Sequence, residues 1–444
     1  MRKEIITACL LICSAITALG QDKSIDERIS MAMNNSGWSE LRELYASEGK
    51  NLQTPYLHTL SKFFISQFYN QPDSAIAHGN VIMDKYQSEL SASLPAIAFF
   101  MAEDYSRLGS NDMAYKIMHN LNEAYRKSGV EPYQTYAGFE DAYRIFSEQP
   151  AFSVVKPQYD THADLSYFQY NNSKNNSQKM LYISTRFNGK DLKAVFDTGA
   201  GINMMTREVA ESVGARTIKT KGLVFNGLGI GTSGEIAFVD SITLGDVTFR
   251  NVPFFIDDFK IENDKANKKI KEIDFNCVIG NQMMMALGEI YFDFNKMQLV
   301  ITSKMSEKPD FAPNFFYSAN HQFVMKIKDN LSDKRIDAIL DSGSPATLLT
   351  YRYYRNNESL FAGKTAKDSI SMGGLGGAHT DIRIIPTEWS YEIAGNKFRH
   401  DSICVLTEQI HDMGSYDCLF GLQTMASHNK MRINFKDMWI RFEE

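Results

Sequence analysis

The stretch A-V-F-D-T-G-A-G, Ala194 to Gly201, is an apolar run that delivers an aspartate into a turn of small residues. The chain writes it again as A-I-L-D-S-G-S-P, Ala338 to Pro345, so Asp197-Thr198-Gly199 is answered by Asp341-Ser342-Gly343 at an offset of 341 − 197 = 144 residues. The echo extends past the triplets. V-I-G at Val278 to Gly280 returns as L-F-G at Leu419 to Gly421, and F-D-F-N-K-M from Phe292 returns as I-N-F-K-D-M from Ile433, with offsets 421 − 280 = 141 and 433 − 292 = 141. Gly227-Leu228-Gly229 is matched by Gly374-Leu375-Gly376 at 374 − 227 = 147. Near-constant offsets predict two copies of one folding unit, each supplying one carboxylate.

Two carboxylates held so close that both cannot ionise together share one proton, which puts an acid and a base in one site at moderate pH. Asp197 and Asp341 are the candidate pair. The ionised member can activate a water while the protonated member hydrogen-bonds a peptide carbonyl oxygen, chemistry that calls for no metal, cofactor or covalent nucleophile. Gly199 and Gly343 let the backbone fold back so that N–H groups face the carboxylates, and Thr198 and Ser342 carry hydroxyls able to tie the two turns together. The next residues differ: Ala200 has no hydroxyl, whereas Ser344 has one that can donate to the outer oxygen of Asp341. Such a bond favours the ionised form, so the expectation is charge on Asp341 and the proton on Asp197.

With 444 residues the chain is too long for one core, and 43% hydrophobic, 12% aromatic and 23% charged residues describe an ordinary globular protein. A net charge of −6, not localised, offers no surface for nucleic acid. Residues 1–20 read as a secretory signal, with Arg2 and Lys3 followed by an apolar run and small residues before Gln21, and this predicts a periplasmic or extracellular protein. The alternative is a membrane anchor, for which about 15 apolar residues are few. Beyond the signal lie three cysteines, Cys277, Cys404 and Cys418. At most one disulfide can form among them, and the matching places of Cys277 and Cys418 suit buried free thiols.

Residues 21–150 carry helical periodicity, with Leu60, Phe63, Phe64 and Phe68 at three- and four-residue steps. Two segments there, 68–75 and 104–114, share an aromatic, a turn and a small Ala. The second resembles the helix-turn-helix hinge of a tetratricopeptide repeat, although the spacing of the two, 114 − 75 = 39, exceeds the usual one of about 34 residues. Such a domain either caps its neighbour or docks a protein partner. The polar run Asn171 to Ser177 predicts an exposed loop. After it the period becomes two, and residues 181–196 read as a hairpin around Asn188-Gly189 leading into Asp197. Residues 206–214 predict a short helix capped by Thr206 and stopped by Gly214, and the Lys-rich segment 257–276 a solvated insertion.

On these motifs the chain resembles the aspartic protease family in its retropepsin-like branch over roughly 180–442, where D-T/S-G is followed by a short helix and later by an apolar-apolar-Gly. The segment L-G-D-V-T-F-R-N-V-P-F-F-I, Leu244 to Ile256, is similar to that branch too. The resemblance implies two β lobes, 151–305 with Asp197-Thr198-Gly199 and 306–444 with Asp341-Ser342-Gly343, and a catalytic dyad of Asp197 and Asp341 between them. It implies a peptide or protein substrate, and, with both halves in one chain, no need to dimerise. Gly227-Leu228-Gly229 and Gly374-Leu375-Gly376 are the candidate cleft loops, neither with an obvious flap Tyr. The fold expected is therefore multidomain α + β, a helical hairpin domain followed by a bilobal β region.

Other chemistries lack their residues. His321, His379, His400, His411 and His428 have no metal-ligand spacing, no G-x-S-x-G occurs, and Gly373 to Gly377 lacks the Lys and following helix of a phosphate cradle. The rival to an endopeptidase is a catalytically silent relative that holds a peptide while the helical domain recruits a partner.

Overall fold

The computed structural model describes residues 23–171, 177–225, 231–257, 259, 275–366, 368–374, 377–410 and 416–443. They fall into two compact units, one up to Ala151 that also takes in Thr220–Phe225, the other Phe152–Lys219 with Asn226–Glu444. The first is helical and the second rich in strands, a multidomain α + β arrangement. The segment expected to be a secretory signal lies outside the described residues. Among those described, no helix is long and apolar enough to cross a membrane.

Among the described residues of the helical unit, seven α-helices follow one another: Ile25–Asn34, Trp38–Glu48, Pro55–Phe68, Pro72–Lys85, Leu94–Arg107, Asn111–Lys127 and Gln134–Ser147. Each packs on the next. Pro55 and Pro72 open their helices, where the missing N–H has no intrahelical partner to lose, and Ser24 with Glu27 forms a capping box at the first. Asn70 (φ 57°) and Gly109 (φ 82°) make the left-handed turns of the two hairpins read from the sequence. Ala75 and Ala114 beyond those turns are fully buried, and a Cβ on Gly79 would lie 2.6 Å from Met101 Sδ, so small residues set how closely the helices approach. Trp38 stacks on Phe68 with ring centroids 4.0 Å apart and also meets Phe64, within the unit's aromatic core.

The described strands of the second unit form two sheets. One runs Phe315–Tyr317, Phe323–Asp329, Lys334–Asp341, Cys418–Gly421, Leu348–Leu349, Asn396–Leu406, Gly377–Ile393 and Asp368–Gly374. The other includes, in order, Trp439–Glu443, Lys430–Asn434, Glu289–Asp293, Gln298–Ile301, Thr161–Asn171, Ser177–Phe187, Lys190–Phe196, Cys277–Ile279, Met204–Met205, Val247–Ile256 and Gly231–Leu244. A division at 305/306 therefore does not separate the sheets, because residues 430–443 join the sheet of the first half. The register there is reciprocal: Ile290 faces Ile433 and Phe292 faces Met431. Since Ile433 repeats Phe292 at the offset of 141 residues, the two copies pair with each other across a local two-fold.

Asn188 (φ 47°) and Gly189 (φ 82°) form the tight hairpin, with Phe187 facing Lys190 and the second strand ending at Phe196, one residue before the aspartate. Of the loop expected at 171–177, Asn171 and Ser177 face each other at the end of a strand pair and 172–176 lie outside the described residues. The expected insertion at 257–276 likewise falls mostly outside them.

Candidate active site

Strand Lys190–Phe196 lies parallel to Cys277–Ile279, with Phe196 opposite Ile279, and Asp197 N–H donates to the Ile279 carbonyl at 3.1 Å. The second copy repeats this: Lys334–Asp341 is parallel to Cys418–Gly421, with Asp341 opposite Gly421. Short strands then return on the other side, Met204–Met205 on Cys277–Ile279 and Leu348–Leu349 on Cys418–Gly421. The apolar-apolar-Gly motif is the strand threaded through this loop. Its glycine is obligatory because a Cβ on Gly280 would lie 2.5 Å from the Ile202 carbonyl oxygen, and one on Gly421 would collide with the carbonyl of Ala346. Cys277 and Cys418 are buried free thiols on these strands, with burial holding both thiols well above their ordinary pKa.

The two aspartate turns are tied to each other reciprocally. Thr198 N–H donates to Ser342 Oγ and Ser342 N–H donates to Thr198 Oγ1, both at 2.9 Å. Each hydroxyl then donates onward across the junction, Thr198 to the Leu340 carbonyl at 2.9 Å and Ser342 to the Phe196 carbonyl at 2.6 Å. Thr198 and Ser342 are fully buried, so each hydroxyl serves as acceptor and donor at once and the four bonds fix the separation of the turns. The glycines sit between the carboxyls. A Cβ on Gly199 would lie 2.6 Å from Asp341 Cγ, and one on Gly343 would strike the Asp197 carboxyl.

Asp197 and Asp341 hydrogen-bond each other, and both residues are half-buried, so the pair keeps an edge open to water. Burial pushes both carboxyls up. Asp197 Oδ1 accepts two backbone N–H groups, from Gly199 at 2.8 Å and from Gly343 of the other turn at 3.2 Å; these favour its charge. Asp341 Oδ1 accepts Ser344 N–H at 2.9 Å. Its pKa stands well above the carboxylate range, first through burial and then through the neighbouring charge of Asp197. The basis of the expected asymmetry is missing, because the Ser344 hydroxyl donates to the Ala346 carbonyl at 3.1 Å, and two N–H donors on Asp197 Oδ1 against one on Asp341 Oδ1 favour the opposite order. The proton belongs on Asp341 and the charge on Asp197, with the titration a property of the pair.

A family profile described as "Aspartyl protease" matches residues 183–282. The match takes in the first aspartate turn and its V-I-G, about a quarter of the chain. No curated protein matches. Similar solved structures include basic 7S globulin from soybean (10% identity, TM-score 0.38) and conglutin gamma, a basic 7S globulin from lupine seeds (10%, 0.40), each covering 65% of this chain and 95% of its own. A retropepsin-like aspartic protease from Rickettsia conorii (16%, 0.20) covers 34% of this chain and 92% of its own.

Around the turns, Thr206 and Thr350 cap the short helices Arg207–Ser212 and Tyr351–Asn356, and Gly214 (φ 68°) follows the first. Gly374 ends a strand facing Gly377; Gly227, Leu228, Gly229, Leu375 and Gly376 lie outside the described residues. Among the histidines, His400 stacks on Tyr391, His428 sits between Phe398 and Phe442 with burial pushing it down to about 4, and His321 stacks on Tyr317. His379 is paired with Met372 in a strand ladder, and His411 is not among the described residues.

Two supporting residues carry no motif of their own. Asn203 Oδ1 accepts Gly280 N–H at 2.9 Å and Thr347 Oγ1 accepts Gly421 N–H at 2.9 Å. They stand at the same offset of 347 − 203 = 144 residues and perform one task with two residue types, so a search for identical letters passes over them.

Proposed function

We propose that this protein is an aspartic endopeptidase. One observation carries the reading: two carboxyls from repeated turns, hydrogen-bonded to each other, with N–H donors weighted toward Asp197 and the higher pKa on Asp341. Ionised Asp197 takes a proton from a water while that water's oxygen attacks the scissile carbonyl carbon, and the Asp341 proton passes to the carbonyl oxygen. Asp197 then gives the proton it took to the amide nitrogen while Asp341 takes one back from a hydroxyl of the tetrahedral diol, the C–N bond breaks, and acid and amine leave with the proton again on Asp341 and the charge on Asp197. The residues in these roles need no metal and no covalent intermediate.

The family match over 183–282 supports protease chemistry for the first half. Export by the N-terminal segment belongs to the same proposal, as does a helical-repeat role for the N-terminal unit, whose consecutive hairpins suit the docking of a protein partner. The decisive test is incubation of the purified protein with a mixed peptide library over a pH series. Internal cleavage of extended peptides is expected. Retained peptide binding without cleavage at any pH would favour the silent relative instead.

A further inference from the structure

Asn281, the residue after V-I-G, makes two bonds in opposite directions. Its backbone N–H donates to the carbonyl of Ala200 in the first aspartate turn at 2.9 Å. Its side-chain Nδ2 donates to the carbonyl of His321 at 2.8 Å, in the loop that opens the second copy. That loop is compact: Ser318 N–H donates to the Gln322 carbonyl and His321 N–H donates back to the Ser318 carbonyl, both at 2.8 Å, and His321 has φ 60°. It presses on the turn, because a Cβ on Gly201 would lie 2.5 Å from His321 Cβ and 3.0 Å from its carbonyl oxygen. With its backbone on one side and its side chain on the other, Asn281 thus adds a tie, beside the Thr198 and Ser342 bonds, between the turn of Asp197 and the half of the chain that bears Asp341.

The repeat supplies an internal control. The counterpart of Asn281 is Leu422, at 422 − 281 = 141, and the counterpart of Gly201 is Pro345, at 345 − 201 = 144. Leu422 keeps the backbone bond, its N–H donating to the Ser344 carbonyl at 2.8 Å, and is as buried as Asn281. An apolar residue thus fits this place in the fold. Asn281 is fully buried and its Oδ1 has no hydrogen-bond partner among the described residues, a desolvation cost that the other copy avoids. A costly polar residue where leucine fits points to a role other than stability.

We propose that Asn281 is a positioning residue that, beside the four Thr198 and Ser342 bonds, braces the first aspartate turn against the second copy and so tunes how tightly the two carboxyls share their proton. Ala200 and Gly199 form the turn whose N–H groups face Asp197, so loosening the clamp lets that turn move away from the second copy and weakens the coupling within the pair. The inference rests on the pair acting as a shared-proton unit.

The test uses the full-length protein with Asn281→Ala and, to preserve packing, Asn281→Leu. The aspartate carboxyl carbons of labelled protein are titrated by NMR, with Asp197→Asn and Asp341→Asn to assign them, alongside peptide cleavage. The expectation is a fall of at least about half a pH unit in the upper apparent pKa of the pair, and kcat down about tenfold with KM within about twofold. An unchanged titration in either folded variant overturns the proposal, even if melting temperature drops. A wild-type protein that cleaves nothing would sink the protease reading, while the titration still decides the clamp.

Discussion

At Asp341 the chemistry of the site and the stability of the fold pull against each other. Its carboxyl is raised well above its ordinary value by burial and by the charge of Asp197. A carboxyl raised on folding contributes stability in its protonated form below its unfolded pKa of about 3.9, and that stability is lost as pH rises through the folded value. The loss is roughly 1.4 kcal/mol for each pH unit that separates the folded pKa from the unfolded one. Asp341→Asn removes it. The variant should melt at a higher temperature than wild type at pH 7 and at nearly the same temperature at pH 3, by calorimetry; an equal difference at both would contradict the assigned direction. Asp197, Asp341, Thr198 and Ser342 were legible because each repeats with its neighbours in order. The protonation order was not, since a serine hydroxyl can reach several acceptors and Ser344 takes the local carbonyl of Ala346, which no spacing rule ranks above the carboxylate.

Local elements followed their own signals closely. Thr206 begins its helix by accepting Val209 N–H at 3.3 Å, and Asn188-Gly189 turns its hairpin with both residues at positive φ, because capping and tight turns are decided by a few adjacent residues. The reason for V-I-G and L-F-G became visible only in three dimensions, where each glycine passes beneath carbonyls of the turn it follows by about 80 residues. Gly421→Ala puts a methyl against the backbone of Ala346, which cannot rotate away as a side chain could. Destabilisation of about 1–3 kcal/mol or more is expected in urea unfolding, with loss of cleavage. A neutral Gly421→Ala would show that the threaded strand has room the geometry denies.

Across the whole strand-rich unit, the least legible feature is the pairing of Glu289–Asp293 with Lys430–Asn434. The repeat marked both segments as equivalent, but equivalence does not say that they meet, and alternating apolar residues suit many partners. A buried carboxylate marks the junction. Glu289, fully buried, accepts from Ser306 Oγ at 2.6 Å, Asn434 Nδ2 at 2.8 Å and Arg432 Nη1 at 3.0 Å. Removing one partner of such a buried network leaves the others uncompensated, so Glu289→Ala should cost about 3–5 kcal/mol in denaturant unfolding. A loss under about 1 kcal/mol, the worth of a surface pair, would mean the junction does not hold the halves together. Above all, the proposed chemistry requires two carboxyls, one from each half, to act as a single unit. The most direct measurement is kcat/KM against pH for peptide cleavage by wild type, Asp197→Asn and Asp341→Asn, each checked for fold. Wild type should show a bell-shaped profile with two limbs that belong to the pair, and each single substitution should abolish cleavage at every pH; near-normal kcat/KM in either folded variant would contradict the shared pair.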